Sequence, residues 1–375
     1  MSADQSRVLS VHCPWFPKCT GCDDLNVSFE QQKQKKVSQL AALFSIPFPR
    51  IPEIQFVQIA PAGLRDRLDF SLQDGALGLF DREHKVVDLL DCAQLSPALQ
   101  GWLKDFRKNL PPVPRASIRL RVSPNGERGI WLDLANLDAK KILDEATWLG
   151  SLGPVDIEIG QRRKSVKWVD GKPKLKDPEL KIWSSTIWRD QPVPLYGVVG
   201  GFTQPSHRTN QWITEWFRDQ VAEQNFQQII ELGTGNGNLS FPALSGKARL
   251  IACENDALAI EGFQRSLREL VTNGLPNLAD RVEVHVGDFL NHSLEAFKSS
   301  DLLIANPPRS GLKAFLNPLK DSPNLKKIFY MSCHAESFAL DLPRLKDQGF
   351  EPKEITILDQ FPQTRHMEIL AVFER

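Results

Sequence analysis

The chain has no uninterrupted apolar run of about 18 residues, so no membrane-spanning helix is expected. Its first stretch, "MSADQSRVLSVH", lacks the basic start and apolar run of a secretory signal, which points to a reducing, cytoplasmic setting and a protein with no membrane partner. Net charge is also missing: 46 Lys and Arg stand against 46 Asp and Glu, so the total neither indicates nor excludes a polyanionic partner. The halves differ. Residues 1–200 hold 28 basic against 24 acidic residues and the remainder 18 against 22, which places any polyanion contact on the first half. No internal repeat or low-complexity tract occurs. Cysteine is scarce, with 6 in 375 residues, yet Cys13, Cys19 and Cys22 crowd into "HCPWFPKCTGCDD". Under reducing conditions such crowding suits metal binding or chemistry better than a crosslink.

A length of 375 residues with 41% hydrophobic and 25% charged side chains fits two globular domains, divided near residue 200. Up to that point the segments are short and broken by Pro and Gly, and "ASIRLRVS" and "RGIWLDL" alternate as antiparallel strands do. Beyond it, helical patterns alternate with the apolar runs "QQIIEL", "ARLIACE", "VEVHVGD", "DLLIANPP" and "KKIFYMSC", which predicts a doubly wound α/β sheet. In "RRKSVKWVDGKPKLK", Arg162, Arg163, Lys164, Lys167, Lys172, Lys174 and Lys176 surround Trp168. Such a segment is either a phosphate- and base-contacting surface for RNA or a solvated hairpin.

"IIELGTGNGNLS" places Gly233, Gly235 and Gly237 between an apolar strand and a helix, where the backbone can approach a nucleotide-like ligand. The next two strands end on Glu254, suited to a pair of ribose hydroxyls, and on Asp288, within reach of an adenine edge. Acidic strand ends without a phosphate-cradling lysine favour S-adenosyl-L-methionine over NAD or ATP. Asn306 ends a further strand beside two prolines. Cys333 stands where a strand meets a helix, and the positive helix end is expected to lower its pKa. In "DQFPQTRHMEILAVFER", His366 and Glu368 would point the same way if extended, and Glu368 is a candidate general base.

"GGFTQPSHRTN", "ELGTGNGNLS", "ANPPRSG", "YMSCHAESFALDL" and "FPQTRHMEIL" together resemble, in order and spacing, the RNA uracil-5 methyltransferase family, which makes 5-methyluridine in tRNA and ribosomal RNA. The resemblance covers residues 200 to 375. It implies Cys333 as the nucleophile that attacks uracil C6, Glu368 as the base that removes the C5 proton, and Gln204, Gly233, Glu254 and Asn306 in the cofactor site, with Phe202 packing against cofactor or base. Some ribosomal RNA members hold a 4Fe-4S cluster on three crowded cysteines and a later one. By resemblance Cys13, Cys19, Cys22 and Cys92 are its ligands, with zinc as the rival metal. "GLRDRLDFSL", with Arg65 and Arg67, is also similar to a family segment. The chain departs from the family at Gly233 and Thr234, where an aromatic and Cys are common, at Ser206 for Asn, and at Asn306 for Asp.

The expectation is therefore an N-terminal β-rich α+β domain over 1–200 for the iron-sulfur cluster and RNA recognition. A Rossmann-like S-adenosylmethionine-dependent domain would follow over 201–375. The protein would act as a monomer on 23S rRNA, with tRNA as the alternative substrate. Competing readings are an amino-group methyltransferase, which shares "NPP" but needs no covalent nucleophile, and an RNA-folding factor that has lost catalysis. Retention of both Cys333 and Glu368 speaks against the folding factor, and a Cys333→Ala variant would separate the amino-group methyltransferase, which should keep its activity.

Overall fold

The computed structural model describes residues 11–134, 139–222, 224–275, 277–287 and 295–375. They form two compact units. One takes in the described residues up to Asn26 with Ala60–Ser184 and Gly197–Arg208; the other takes in Val27–Ile59, Ser185–Tyr196 and Thr209–Arg375. The chain thus passes between units several times instead of dividing once near residue 200. The reason is strand pairing: Ile54–Val57 lies parallel to Glu351–Leu358, with Ile54 opposite Ile355, and so belongs to the later sheet.

In the second unit, eight strands run in the order Ile54–Val57, Glu351–Leu358, Glu368–Glu374, Lys327–Ser332, Leu302–Ala305, Gln228–Leu232, Arg249–Glu254 and Val282–Val286. The five strands from Lys327–Ser332 to Val282–Val286 pair in parallel, and Glu368–Glu374 is antiparallel to both neighbours. Successive residues feed opposite cores. Ile230, Leu303, Ile328 and Ile369 join Phe44, Phe338 and Phe373 on one face, whereas Ile229, Leu302, Phe329 and Leu370 join Phe217 and Phe263 on the other. Burial on both faces is why these runs are continuously apolar, and it bears out the doubly wound expectation. The order reverses between Gln228–Leu232 and Leu302–Ala305, so a crevice opens beyond their carboxyl ends.

The first unit carries a sheet ordered Val86–Asp88, Ala76–Phe80, Arg67–Gln73, Arg115–Val122, Arg128–Asp133, Asp156–Ile159, Lys164–Val169 and Lys172–Lys176. The two strands read from alternation are neighbours, with Ile118 opposite Leu132. Helix Pro97–Phe106, capped by the Ser96 hydroxyl, buries Leu99, Trp102, Leu103 and Phe106 against this sheet. The basic hairpin forms its edge. Register puts Lys167 opposite Lys174 and Trp168 opposite Pro173, so Lys167, Lys172, Lys174 and Lys176 project from the face opposite Trp168. Lys164 pairs with Asp177, Lys167 with Glu179 at 2.9 Å, and Lys174 with Asp170 at 3.6 Å. The basic residues therefore do not encircle the indole, and part of their charge is matched locally. Lysines on an exposed edge strand also oppose unwanted strand addition.

Candidate active site

The crevice of the second unit is built from turns that only small residues can make. Gly233, Gly235 and Gly237 adopt φ of 77°, 59° and 95°, in the left-handed region. A Cβ on Gly237 would strike the Phe263 ring, and one on Gly233 would lie 3.3 Å from the Asn306 carbonyl oxygen. Strand ends that converge this closely bring Gly233 and Asn306 together. Cys253 O accepts from the amides of Gly233 and Thr234 at 2.9 and 3.1 Å. Glu254 joins the same corner: its carboxylate accepts from Gly235 N at 2.8 Å, Asn255 N at 2.7 Å and Asp256 N at 2.9 Å. Beneath the turn, buried Glu231 accepts from the Ser240 hydroxyl at 2.5 Å, and burial, with Glu254 nearby, pushes its carboxyl up to about 8. The Thr234 hydroxyl is buried and has no hydrogen-bond partner among the described residues. A glycine cradle, an orphan hydroxyl and an acidic strand end fit a nucleoside-type cofactor without phosphate. Asp288 lies outside the described residues. Gln204 is in the first unit, buried at 9% exposure.

Cys333 follows strand Lys327–Ser332 and precedes helix Ala335–Asp347, whose cap is the His334 side chain. Ser332 is opposite Ile369 across an antiparallel pair, so the next residues along, Cys333 and Glu368, meet at the same end of the sheet. Glu368 is 2% exposed. Burial pushes its carboxyl up to about 8, against the pull of the Gln360 amide, which donates to it at 2.6 Å. Gln360 in turn accepts from the Thr209 hydroxyl at 3.0 Å.

The Cys333 thiol is shifted upward, first by burial and then by the facing Glu368, while Arg309 opposes both by charge and by a hydrogen bond to the thiol. The expected lowering by the helix end is thus overturned. Desolvation is the larger effect, and the Arg309 guanidinium only limits it. His366 and Glu368 differ in burial: His366 is exposed beside the Phe361 ring, ahead of the strand, which begins only at the buried Glu368. Arg309, Gln360 and Thr209 were not among the residues picked from sequence. Arg309 and Thr209 lie in segments that carry the family resemblance and Gln360 immediately precedes another, but nothing in their spacing showed which side chains they would touch.

In the first unit, Cys13, Cys19, Cys22 and Cys92 are all free. Cys22 is pushed up to about 12 by burial and by Cys92, Cys13 and Cys19, and Cys92 to about 11 by burial and by Cys13 and Cys19. The four thiols are therefore close enough to repel one another as anions. Gly21 N reaches Cys19 Sγ at 3.4 Å and Gln94 Nε2 reaches Cys22 Sγ at 3.7 Å. Half-buried Arg65 also lies near Cys92 and Cys22. Yet among the described residues no three His, Cys, Asp or Glu side chains are grouped so as to hold a metal ion, so the iron-sulfur expectation is not carried by the geometry. Elsewhere in this unit the Arg67 guanidinium sits 5.2 Å over the ring of Phe202, which is 69% exposed.

Among the described residues no helix is long and apolar enough to cross a membrane. The family described as tRNA (uracil-5-)-methyltransferase matches residues 283–375. An uncharacterized RNA methyltransferase of Bdellovibrio bacteriovorus is 46% identical over 98% of this chain and 96% of its own length. The 23S rRNA (uracil(1939)-C(5))-methyltransferase of Chromohalobacter salexigens is 25% identical over 97% of this chain and 76% of its own. The fold is similar to the crystal structure of the Pyrococcus abyssi tRNA (uracil-54, C5)-methyltransferase in complex with S-adenosyl-L-homocysteine, with a TM-score of 0.68, 18% identity, and coverage of 95% of this chain and 86% of that one. With one near relative spanning almost the whole chain, and the family's own match lying over Cys333 and Glu368, this chain belongs to the RNA uracil-5 methyltransferase family.

Proposed function

We propose that this enzyme methylates uridine C5 through a covalent adduct at Cys333, with S-adenosylmethionine as methyl donor and 23S rRNA as substrate. The observation that carries the reading is the meeting of Cys333, Glu368 and Arg309 at one sheet end. Uracil C5 is a weak nucleophile, so a thiolate first bonds to C6 and moves the ring's electron pair to C5. The cofactor, when bound, supplies an electrophilic methyl group, which C5 takes up. Glu368 then accepts the C5 proton, the C5–C6 double bond re-forms, and the sulfur–C6 bond breaks to return the thiolate. Arg309 opposes the desolvation that holds the Cys333 proton, and Glu368 takes the C5 proton in its ionised form, which burial makes less abundant below about pH 8.

Gly233, Glu254 and Asn306 are the residues of the crevice that would hold the cofactor, with Asp288 and Gln204 as further contacts. Cys13, Cys19, Cys22 and Cys92 would hold a 4Fe-4S cluster, whose iron would stabilise thiolates that otherwise repel in a desolvated pocket. We assign RNA recognition to the first unit, methyl transfer to the second, and a cytoplasmic, monomeric state to the whole. The 23S rRNA assignment follows relatives such as that of Chromohalobacter salexigens, with tRNA as the alternative. The test is methyl transfer from labelled cofactor to purified 23S rRNA and tRNA, followed by nucleoside mass spectrometry. Label in 5-methyluridine of 23S rRNA supports the proposal; label only in tRNA, or only on adenine, overturns its substrate or its chemistry.

A further inference from the structure

Glu368 can remove a proton from C5 only if one carboxylate oxygen is aimed at the ring, and a buried carboxylate with two free oxygens would have no fixed aim. One oxygen is held. Gln360 Nε2 donates to Glu368 Oε2 at 2.6 Å, and the Thr209 hydroxyl donates to Gln360 Oε1 at 3.0 Å. A donor at the amide oxygen leaves the amide nitrogen to face Glu368. Thr209, Gln360 and Glu368 are 0%, 1% and 2% exposed, so water does not compete for these bonds.

The backbone that carries Gln360 is fixed on both sides. Asp359 accepts from Lys36 Nζ at 2.6 Å and from Gln58 Nε2 at 3.0 Å. Beyond it, Gln363 exchanges hydrogen bonds with Gln32, at 2.9 Å to its side chain and 3.2 Å from its amide. A neutral amide also suits this place. A cation donating to the same oxygen would hold the carboxylate's charge strongly and weaken it as a base, whereas an amide orients it at a smaller cost in basicity.

We infer that Gln360 is a positioning residue for proton abstraction: through the Thr209–Gln360 chain one oxygen of Glu368 is anchored and the other is left to accept the C5 proton. The inference rests on the reading of Glu368 as the base of a covalent mechanism. The step balances without a further reactant: the C5–H bond breaks, the proton passes to Glu368, the C5–C6 double bond forms, and the pair in the C6–sulfur bond returns to Cys333.

The experiment is single-turnover kinetics on the full chain with 23S rRNA and methyl-labelled cofactor, reading label bound to protein separately from label released in RNA. Gln360→Leu and Thr209→Val should form labelled adduct within about twofold of wild type but release it about tenfold more slowly, the expected effect of losing a hydrogen bond to a charged group. Thr209→Ser, which keeps the hydroxyl, should release at the wild-type rate. If Gln360→Leu does not fold, Thr209→Val and its serine counterpart decide alone. Wild-type release in Thr209→Val, or equal slowing of formation and release, overturns the inference. Methylated RNA without labelled protein, even in Glu368→Gln, would instead bring down the covalent reading, and the inference with it.

Discussion

Two thiol sites in this protein share one physical condition and differ in their neighbours. Burial raises the Cys22 and Cys92 thiols of the first unit and the Cys333 thiol of the second. The quartet then adds like groups to like, each potential thiolate raising the next, and the Arg65 guanidinium beside Cys92 offsets this only in part. Cys333 sits between unlike groups: Arg309 lowers its titration by charge and by a hydrogen bond, whereas the facing Glu368, itself raised by burial, pushes it up. A desolvated thiol surrounded by thiols suits holding something, whereas one between a guanidinium and a carboxyl suits making and breaking a bond.

The largest expected effect falls on the catalytic side of this contrast. Cys333→Ala should abolish methyl transfer and form no adduct, a loss of about a thousandfold or more, whereas Cys92→Ser should leave the chemical step nearly intact once the protein is folded. Equal loss of adduct formation in the two variants would erase the distinction.

Glu368→Gln keeps the shape but removes the proton acceptor, so adduct should accumulate on denaturing gels and turnover should fall by about a hundredfold. In wild type, release should speed up as pH rises toward about 8, because the raised carboxyl is protonated below that value and only its ionised form accepts a proton. The same shift has a stability sign. The carboxyl's folded-state advantage is complete below the ordinary carboxylate pKa and fades as pH climbs through about 8, so Glu368→Gln should flatten the fall in melting temperature over that window.

Arg309→Met tests the built-in charge. Without the guanidinium the Cys333 thiol should titrate higher, so its alkylation by iodoacetamide at neutral pH should slow. Alkylation at an unchanged rate would show that burial alone sets the thiol. On the other side, iron chelation or Cys92→Ser should bleach a brown, anaerobically prepared protein and lower its melting temperature by about 5 °C. Colourless protein with stoichiometric zinc would replace the cluster while leaving the contrast intact.

The smallest effect is expected at the basic edge. Neutralising Arg162, Arg163 and Lys164 together should weaken RNA binding by about threefold, less than three free charges would give, because Lys164 already pairs with Asp177. Unchanged affinity at low salt would leave the hairpin with only its edge-protecting role.

How much of this was legible in the sequence follows from what each feature depends on. The parallel strands were readable because burial on both faces leaves runs such as Leu302–Ala305 with no polar residue. Gly233, Glu254 and Asn306 were readable because a strand end fixes where a residue sits. The company of Cys333 was not: the helix end lies where the sequence puts it, but burial and Glu368, which depend on a pairing that no local pattern encodes, outweigh it. Trp168 and its lysines were adjacent in sequence but separated by the alternation of a strand. Gln360 and Thr209 are ordinary polar residues until the fold brings them into line with Glu368.

The placement of Val27–Ile59 has a consequence in time. Leu40, Phe44 and Phe48 fill the same core as Phe338 and Phe373, and Lys36 meets Asp359 across a separation of 323 positions. A nascent chain must therefore keep the inner face of helix Phe29–Ser45, with Leu40 and Phe44, unpartnered until the segment beyond Glu351 has been made, a long-range closure that slows folding and invites chaperone capture. For the same reason the catalytic unit cannot be lifted out as a cassette: a fragment beginning after residue 200 would lack an outer strand and part of its core, and should be recovered as aggregate instead of as a small working enzyme.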